Sequence, residues 1–223
     1  MNGQVTEIFE SMQGEGIYLG ERQIFVRLFG CNLKCSFCDT RVFRFKQYQP
    51  QELVNELLSF GDIYHSVSFT GGEPLLQKDF LKETLKLSRA AGFKNYLETN
   101  GTLPDELSEI IDLVDIVSMD FKLPSSTGGG DLWQKHRRFL EVSSASEVFV
   151  KAVVNESTVE EDISRAIEVI NSVNPTVVLV LQPDSRVEFA VLKKKIDHYK
   201  GICARNNIIT CIIPQVHKIA GVK

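Results

Sequence analysis

One pattern runs through the chain from residue 24 onward: a short apolar run, a polar loop, then a segment with helical spacing. Residues 24–29, 65–70, 95–99, 114–119, 147–154, 176–181 and 208–213 read as strands, and residues 50–60, 77–91, 104–113, 131–141, 158–173 and 188–200 read as helices. Strands that alternate with helices of this length imply βα units and a parallel sheet, an α/β architecture. No repeat of fixed period, low-complexity stretch or linker interrupts it, so one domain over residues 1–223 is expected. In parallel sheets and barrels, functional groups collect on the loops that follow the strands' carboxyl ends. The polar motifs of this chain fall at four such loops in succession: the cysteine run 31–38, Gly71-Gly72-Glu73-Pro74, Glu98-Thr99-Asn100-Gly101 and Asp120-Phe121-Lys122.

Composition narrows the partners. A net charge of −4 and a pI near 5.7 argue against a broad phosphate-binding surface, so no nucleic-acid partner is expected. No apolar run approaches the roughly 20 residues that span a bilayer, and the first residues lack a signal-peptide pattern. Five cysteines, three of them packed together, point to a reducing cytoplasm and metal ligation, not to disulfides.

Those three are Cys31, Cys35 and Cys38, spaced C-x3-C-x2-C with no fourth nearby. A closed structural site wants four protein ligands, whereas a site one ligand short keeps a position open for chemistry. The alternative is a zinc site, in a non-enzymatic interaction protein, completed by Cys203, Cys211 or a histidine. It lacks the second two-cysteine knuckle such sites use. Cys203 and Cys211 read as small buried hydrophobes.

Other residues carry chemistry of their own. Arg27 interrupts an apolar strand, which suits a bidentate clamp on a carboxylate or an outward-facing position. Gln13 and Glu15 lie in a glycine-rich stretch that is either a bare hairpin turn or a surface for a heterocycle edge. Glu98 and Asn100 can equally well satisfy local backbone groups. His65, His136 and His198 have no partners at metal spacing, and Lys193-Lys194-Lys195 marks a solvated helix face. Residues 125–130 read as a mobile loop that would suit a lid.

The cysteine loop after a first strand, with aromatic Phe37 before its last cysteine and Gly71-Gly72-Glu73-Pro74 after the second strand, resembles the radical S-adenosylmethionine superfamily. The resemblance implies a shortened, partial (β/α) barrel. It also implies a [4Fe-4S] cluster on Cys31, Cys35 and Cys38, whose fourth iron is left for the amino and carboxylate groups of S-adenosylmethionine. Gly71, Gly72 and Glu73 would meet the methionine ammonium.

Nearly the whole chain resembles one family within it, the 7-carboxy-7-deazaguanine synthases, on Ser11-Met12-Gln13-Gly14-Glu15-Gly16, Phe25-Val26-Arg27, Cys38-Asp39-Thr40, Glu98-Thr99-Asn100-Gly101 and Pro214-Gln215-Val216-His217-Lys218. Such enzymes convert 6-carboxy-5,6,7,8-tetrahydropterin to 7-carboxy-7-deazaguanine on the way to queuosine and related 7-deazapurines. The resemblance implies that Thr40 ligates Mg2+ and that Phe37, Asp39, Glu98 and Asn100 attend the cofactor and metal. It brings Ser118, Asp120 and Lys122 to S-adenosylmethionine without choosing among them. Met12, Gln13, Gly14, Glu15, Arg27, Thr70, Gln215 and His217 would meet the pterin. A homodimer and a one-electron donor such as flavodoxin or ferredoxin are implied as well. The alternative inside the superfamily is a glycyl-radical-enzyme activase, which leaves Gln13, Glu15 and Arg27 unexplained.

Overall fold

The computed structural model describes residues 2–38, 44–61 and 63–221. Among the described residues one sheet carries nine strands: β1 (Gly3–Met12), β2 (Arg22–Leu28), β3 (Lys46–Tyr48), β4 (Ser66–Gly71), β5 (Asn95–Thr99), β6 (Ile116–Phe121), β7 (Glu147–Val154), β8 (Leu179–Pro183) and β9 (Thr210–Ile212). Their order is β3-β1-β2-β4-β5-β6-β7-β8-β9. The β3-β1-β2 portion is antiparallel, and every pairing from β2 to β9 is parallel. The sheet does not close on itself, which makes it the partial barrel expected.

The parallel strands are those the apolar runs indicate, shifted by up to three residues. The hairpin strand β1 and the short β3 escape sequence reading because their burial is partial and their pairing is with each other and β2. Strand β6 extends to Phe121, two residues further than expected, which draws Asp120 into the sheet. The helix expected over 104–113 breaks after Ser108 into a 3-10 turn at Ile111–Leu113, with the Ser108 hydroxyl donating back to the Asp105 carbonyl. Among the described residues, no helix is long and apolar enough to cross a membrane.

The outer face of the sheet buries Leu97, Val117, Val150, Leu179 and Leu181 against helices such as Lys78–Ala90, Trp133–Ser143 and Glu160–Val173. Side chains alternate between faces along a strand, so the intervening residues point into the open barrel. There Tyr96, Ile116, Phe149 and Val180 form a separate apolar floor, with Tyr18 of the β1–β2 hairpin packed on it. Gly16 has φ +68°, and a Cβ there would meet the Phe149 ring at 2.5 Å. Glycine therefore lets the hairpin settle onto the floor. Above the floor, the same strands present Glu98, Asp120, Lys151 and Gln182.

Candidate functional site

The carboxyl ends of the strands open into a cleft walled by Cys31, Cys35, Cys38 and Phe37 on one side. Glu15, Arg27, Thr70, Gly71, Gly72, Glu98, Asn100, Asp120, Lys122 and Gln215 complete most of the remaining wall. Cys31 and Cys38 are exposed and Cys35 is half-buried. Burial pushes the Cys35 thiol up, against the pull of the nearby Lys122 ammonium. Toward Cys31 Sγ, the Leu33 backbone N–H donates at 3.4 Å and the Asn100 amide at 3.9 Å.

The cysteine loop is held from below. Ser36 donates through its backbone N–H to Thr127 O and through its hydroxyl to Ser126 O, both at 2.9 Å. Arg186 donates to Ser36 O at 2.8 Å. Ser126 and Thr127 belong to a short helix, Pro124–Thr127, anchored where Asp162 accepts from the Ser125 N–H at 2.9 Å. Residues 124–127 are thus a brace under the cysteines, not the lid their composition suggested.

Backbone crowding explains the two glycines beside this loop. Gly71 has φ +143°, and a Cβ there would lie 2.1 Å from Leu28 O. On Gly72 it would lie 2.1 Å from Gly30 O and 2.8 Å from Cys31 Cβ. The glycine loop therefore runs directly against the start of the cysteine loop. Glu73 is fully buried behind the wall and not in it. Its carboxylate accepts from Leu75 N at 3.1 Å, Asn100 N at 2.7 Å and Thr99 Oγ1 at 2.9 Å. Burial outweighs these donors and lifts its pKa to about 7. Glu73 is a brace that sets Asn100 against the glycine loop.

The polar groups of the barrel interior interlock. Glu98 accepts from Thr70 Oγ1 at 3.0 Å and from Gln13 Nε2 at 2.9 Å. Gln13 is itself buried, with its amide spent on Gln23, Glu98 and the Glu15 N–H, so it positions Glu15 and does not line the cleft. Arg27 lines the cleft while its Nε donates to Glu7 at 2.7 Å. Asp120 and Lys122 pair at 3.0 Å in the wall, whereas Ser118 lies one pleat deeper, buried between strands. Met12 is half exposed away from the cleft, and His217 packs against Gly14, where a Cβ would meet its Nδ1 at 2.3 Å. Gln215 reaches the cleft and donates to Glu15 at 2.7 Å. Asp39 and Thr40 lie outside the described residues. His136 is buried and stacked on Phe121, and burial lowers its pKa to about 4.

Three polar groups here escape sequence reading: Lys151, Gln182 and Asp184. Lys151 carries the same signal as Arg27, a single charge inside an apolar strand, and its Nζ lies 2.8 Å from Glu15. Gln182 and Asp184 line the cleft at the end of β8, and Asp184 is paired with Arg186 at 2.6 Å.

Residues 26–184 match the radical S-adenosylmethionine superfamily. The chain is 36% identical to the 7-carboxy-7-deazaguanine synthase of Geobacter sulfurreducens, over 98% of this chain and 97% of that protein. It is 35% identical to the synthase of Archaeoglobus fulgidus over the full length of both. The chain belongs to the 7-carboxy-7-deazaguanine synthase family. The crystal structure of QueE from Escherichia coli has the same fold, with a TM-score of 0.68 at 22% identity over 95% of this chain and 94% of that one.

A radical enzyme of this family holds a [4Fe-4S] cluster and S-adenosylmethionine, and the residues present fit both. Among the described residues, no three His, Cys, Asp or Glu side chains gather around a single metal ion. Three thiols ringing a cleft mouth instead suit a multi-iron centre, in which each iron takes one thiolate. Gly71 and Gly72 line the cleft beside Cys31, where their backbone is packed against the cysteine loop, and the Asp120–Lys122 pair in the same wall offers a zwitterion charge of both signs.

Proposed function

We propose that this chain converts 6-carboxy-5,6,7,8-tetrahydropterin to 7-carboxy-7-deazaguanine with loss of ammonia, within one radical S-adenosylmethionine domain spanning residues 1–223. Cys31, Cys35 and Cys38 would hold the cluster, which with S-adenosylmethionine would supply the radical chemistry needed to remove hydrogen from C6 of the pterin. The observation that carries the reading is the convergence of three thiols, Arg27 and Glu15 on one cleft.

The chain's own residues bind and orient. Arg27 turns its terminal nitrogens to the substrate carboxylate while Glu7 holds Nε, an arrangement suited to fork-like recognition. Glu15 accepts from the amino and ring N–H groups of the pyrimidine edge. Glu98 and Asn100 serve the ribose, and Asp120 and Lys122 serve the methionine end. Thr40 offers a hydroxyl to Mg2+, a hard cation that otherwise keeps water and substrate oxygens, with Asp39 holding those waters. The enzyme works in the cytoplasm as a homodimer, takes its electron from flavodoxin or ferredoxin, and feeds queuosine or a related 7-deazapurine.

The test is anaerobically reconstituted, reduced protein with S-adenosylmethionine, Mg2+ and the pterin. Brown protein with about four irons per chain that yields the deazapurine supports the reading. Cleavage of S-adenosylmethionine without deazapurine would remove the substrate assignment, and stoichiometric zinc in anaerobic material would remove the cluster.

A further inference from the structure

Lys151 lies 3% exposed in the middle of β7, on the inner face of the sheet. Its Nζ is 2.8 Å from Glu15 Oε2 and 4.0 Å from Asp120 Oδ1, and Glu98 is close enough to add to the same negative field. Burial pulls the ammonium's pKa down, but Asp120, Glu15 and Glu98 hold it well above the ordinary lysine range. One buried cation thus serves three carboxylates from three elements: the β1–β2 hairpin, β5 and β6. Lys151 is not itself in the cleft wall, while all three carboxylates are.

The consequence falls on Glu15. Among the described residues, Lys151 donates to Oε2 and Gln215 Nε2 to Oε1 at 2.7 Å, nearby His217 adds positive charge, and the buried Tyr96 phenol lies within electrostatic reach. Its backbone N–H is fixed by Gln13 Oε1 at 3.0 Å. Burial would push the Glu15 carboxyl up, yet Lys151, then Gln215 and His217, bring it down to about 2. Each carboxylate oxygen has two lone pairs and has spent one on these partners, so each keeps one for a ligand. Two fixed acceptors side by side match two N–H donors side by side, the 2-amino group and ring N–H of a 2-amino-4-oxo pyrimidine. A protonated carboxyl in the same place would offer one donor and one acceptor and would discriminate poorly.

Building on the pterin reading above, we propose that Lys151 is a positioning residue that keeps Glu15 an acceptor on both oxygens and thereby selects a 2-amino-4-oxo ring over its 2-oxo analogue. Lysine suits the task because an ammonium is a compact charge that three carboxylates can share. A desolvated group made to receive two donors rejects the ligand that presents an oxygen instead, since an unpaired polar atom is then left buried.

The experiment is equilibrium dialysis of anaerobically reconstituted, S-adenosylmethionine-loaded protein against 6-carboxypterin and 6-carboxylumazine between pH 5.5 and 7. Wild type is expected to prefer the pterin by about tenfold or more, in keeping with one bidentate contact, with no pH trend. In Lys151→Met the preference should shrink to about threefold or less, and pterin binding should become pH-dependent as Glu15 takes up a proton. Lys151→Arg should keep the preference. A Lys151→Met protein with wild-type circular dichroism and an unchanged, pH-independent preference would overturn the role of Lys151 alone. Wild type that binds neither compound would overturn the pterin reading. If Lys151→Met does not fold, the Lys151→Met/Asp120→Asn pair, which also removes a partly buried carboxylate that Lys151 offsets, carries the same two outcomes.

Discussion

The floor and the rim of the barrel interior are built by the same strands and differ in everything else. At the floor, Tyr96, Ile116, Phe149 and Val180 pack with almost no exposure. Within two to four residues along those strands, Glu98, Asp120, Lys151 and Gln182 put three charges and an amide in reach of the cleft. The floor stabilises by burying apolar surface. The rim desolvates charge, which gains little stability even when paired and loses much when a partner is removed. Gln182 makes the contrast plain, because its Oε1 is buried with no hydrogen-bond partner among the described residues while its side chain lines the cleft. The rim is arranged for a ligand, and the floor carries the hairpin that presents Glu15 to it.

Breaking the two regions separately should give opposite signatures. The largest effect is at the cysteine loop: Cys35→Ser should abolish the brown iron–sulfur chromophore and deazapurine formation while shifting the urea stability of the cluster-free protein by no more than about 0.5 kcal/mol. Phe149→Ala should do the reverse, costing about 3–5 kcal/mol of stability in urea denaturation. It should also raise KM, because the hairpin at Gly16 rests on that ring.

Two buried carboxylates sharpen the contrast through pH. Glu15 faces a cation, and its pKa falls from 4.5 to about 2. Its contribution to stability is present above about pH 4.5 and should be lost as pH falls toward 2, relative to Glu15→Gln. Glu73 is held by neutral donors with Lys122 acting only from a distance, so burial wins and its pKa rises from 4.5 to about 7. The folded state then binds the extra proton, so stability relative to Glu73→Gln should fall as pH climbs from about 4.5 to 7. Urea melts at each pH should resolve about 1–3 kcal/mol in both windows, with opposite slopes. The smallest effect is at the rim's edge, where Glu7→Gln should loosen Arg27 and raise KM by about threefold to tenfold with kcat nearly unchanged. The Arg27–Glu7 pair is partly exposed, and solvent screening keeps its worth near 1 kcal/mol.

The floor and the rim were also unequally legible. The parallel strands announce themselves because a strand buried on both faces must be an apolar run, and the loops after them hold the polar motifs. Strands β1 and β3 do not, since half-buried strands in a hairpin carry mixed residues. Residue type was a good guide to where polar groups cluster and a poor one to where they point. Gln13 and Glu73 are cleft residues by sequence and buried braces by geometry, because a glycine turn does not reveal which way its neighbours face. Lys151 was readable by the rule that flags Arg27, yet its importance depends on Glu15, 136 residues away, and no local pattern shows that pairing.

Under the proposed function, the cleft brings pterin C6 to S-adenosylmethionine at the cysteine loop. The most direct measurement is turnover of 6-carboxytetrahydropterin deuterated at C6, with mass analysis of the 5′-deoxyadenosine released. Deoxyadenosine heavier by one mass unit is expected alongside 7-carboxy-7-deazaguanine. Deazapurine formed together with wholly unlabelled deoxyadenosine would contradict that role of the cleft.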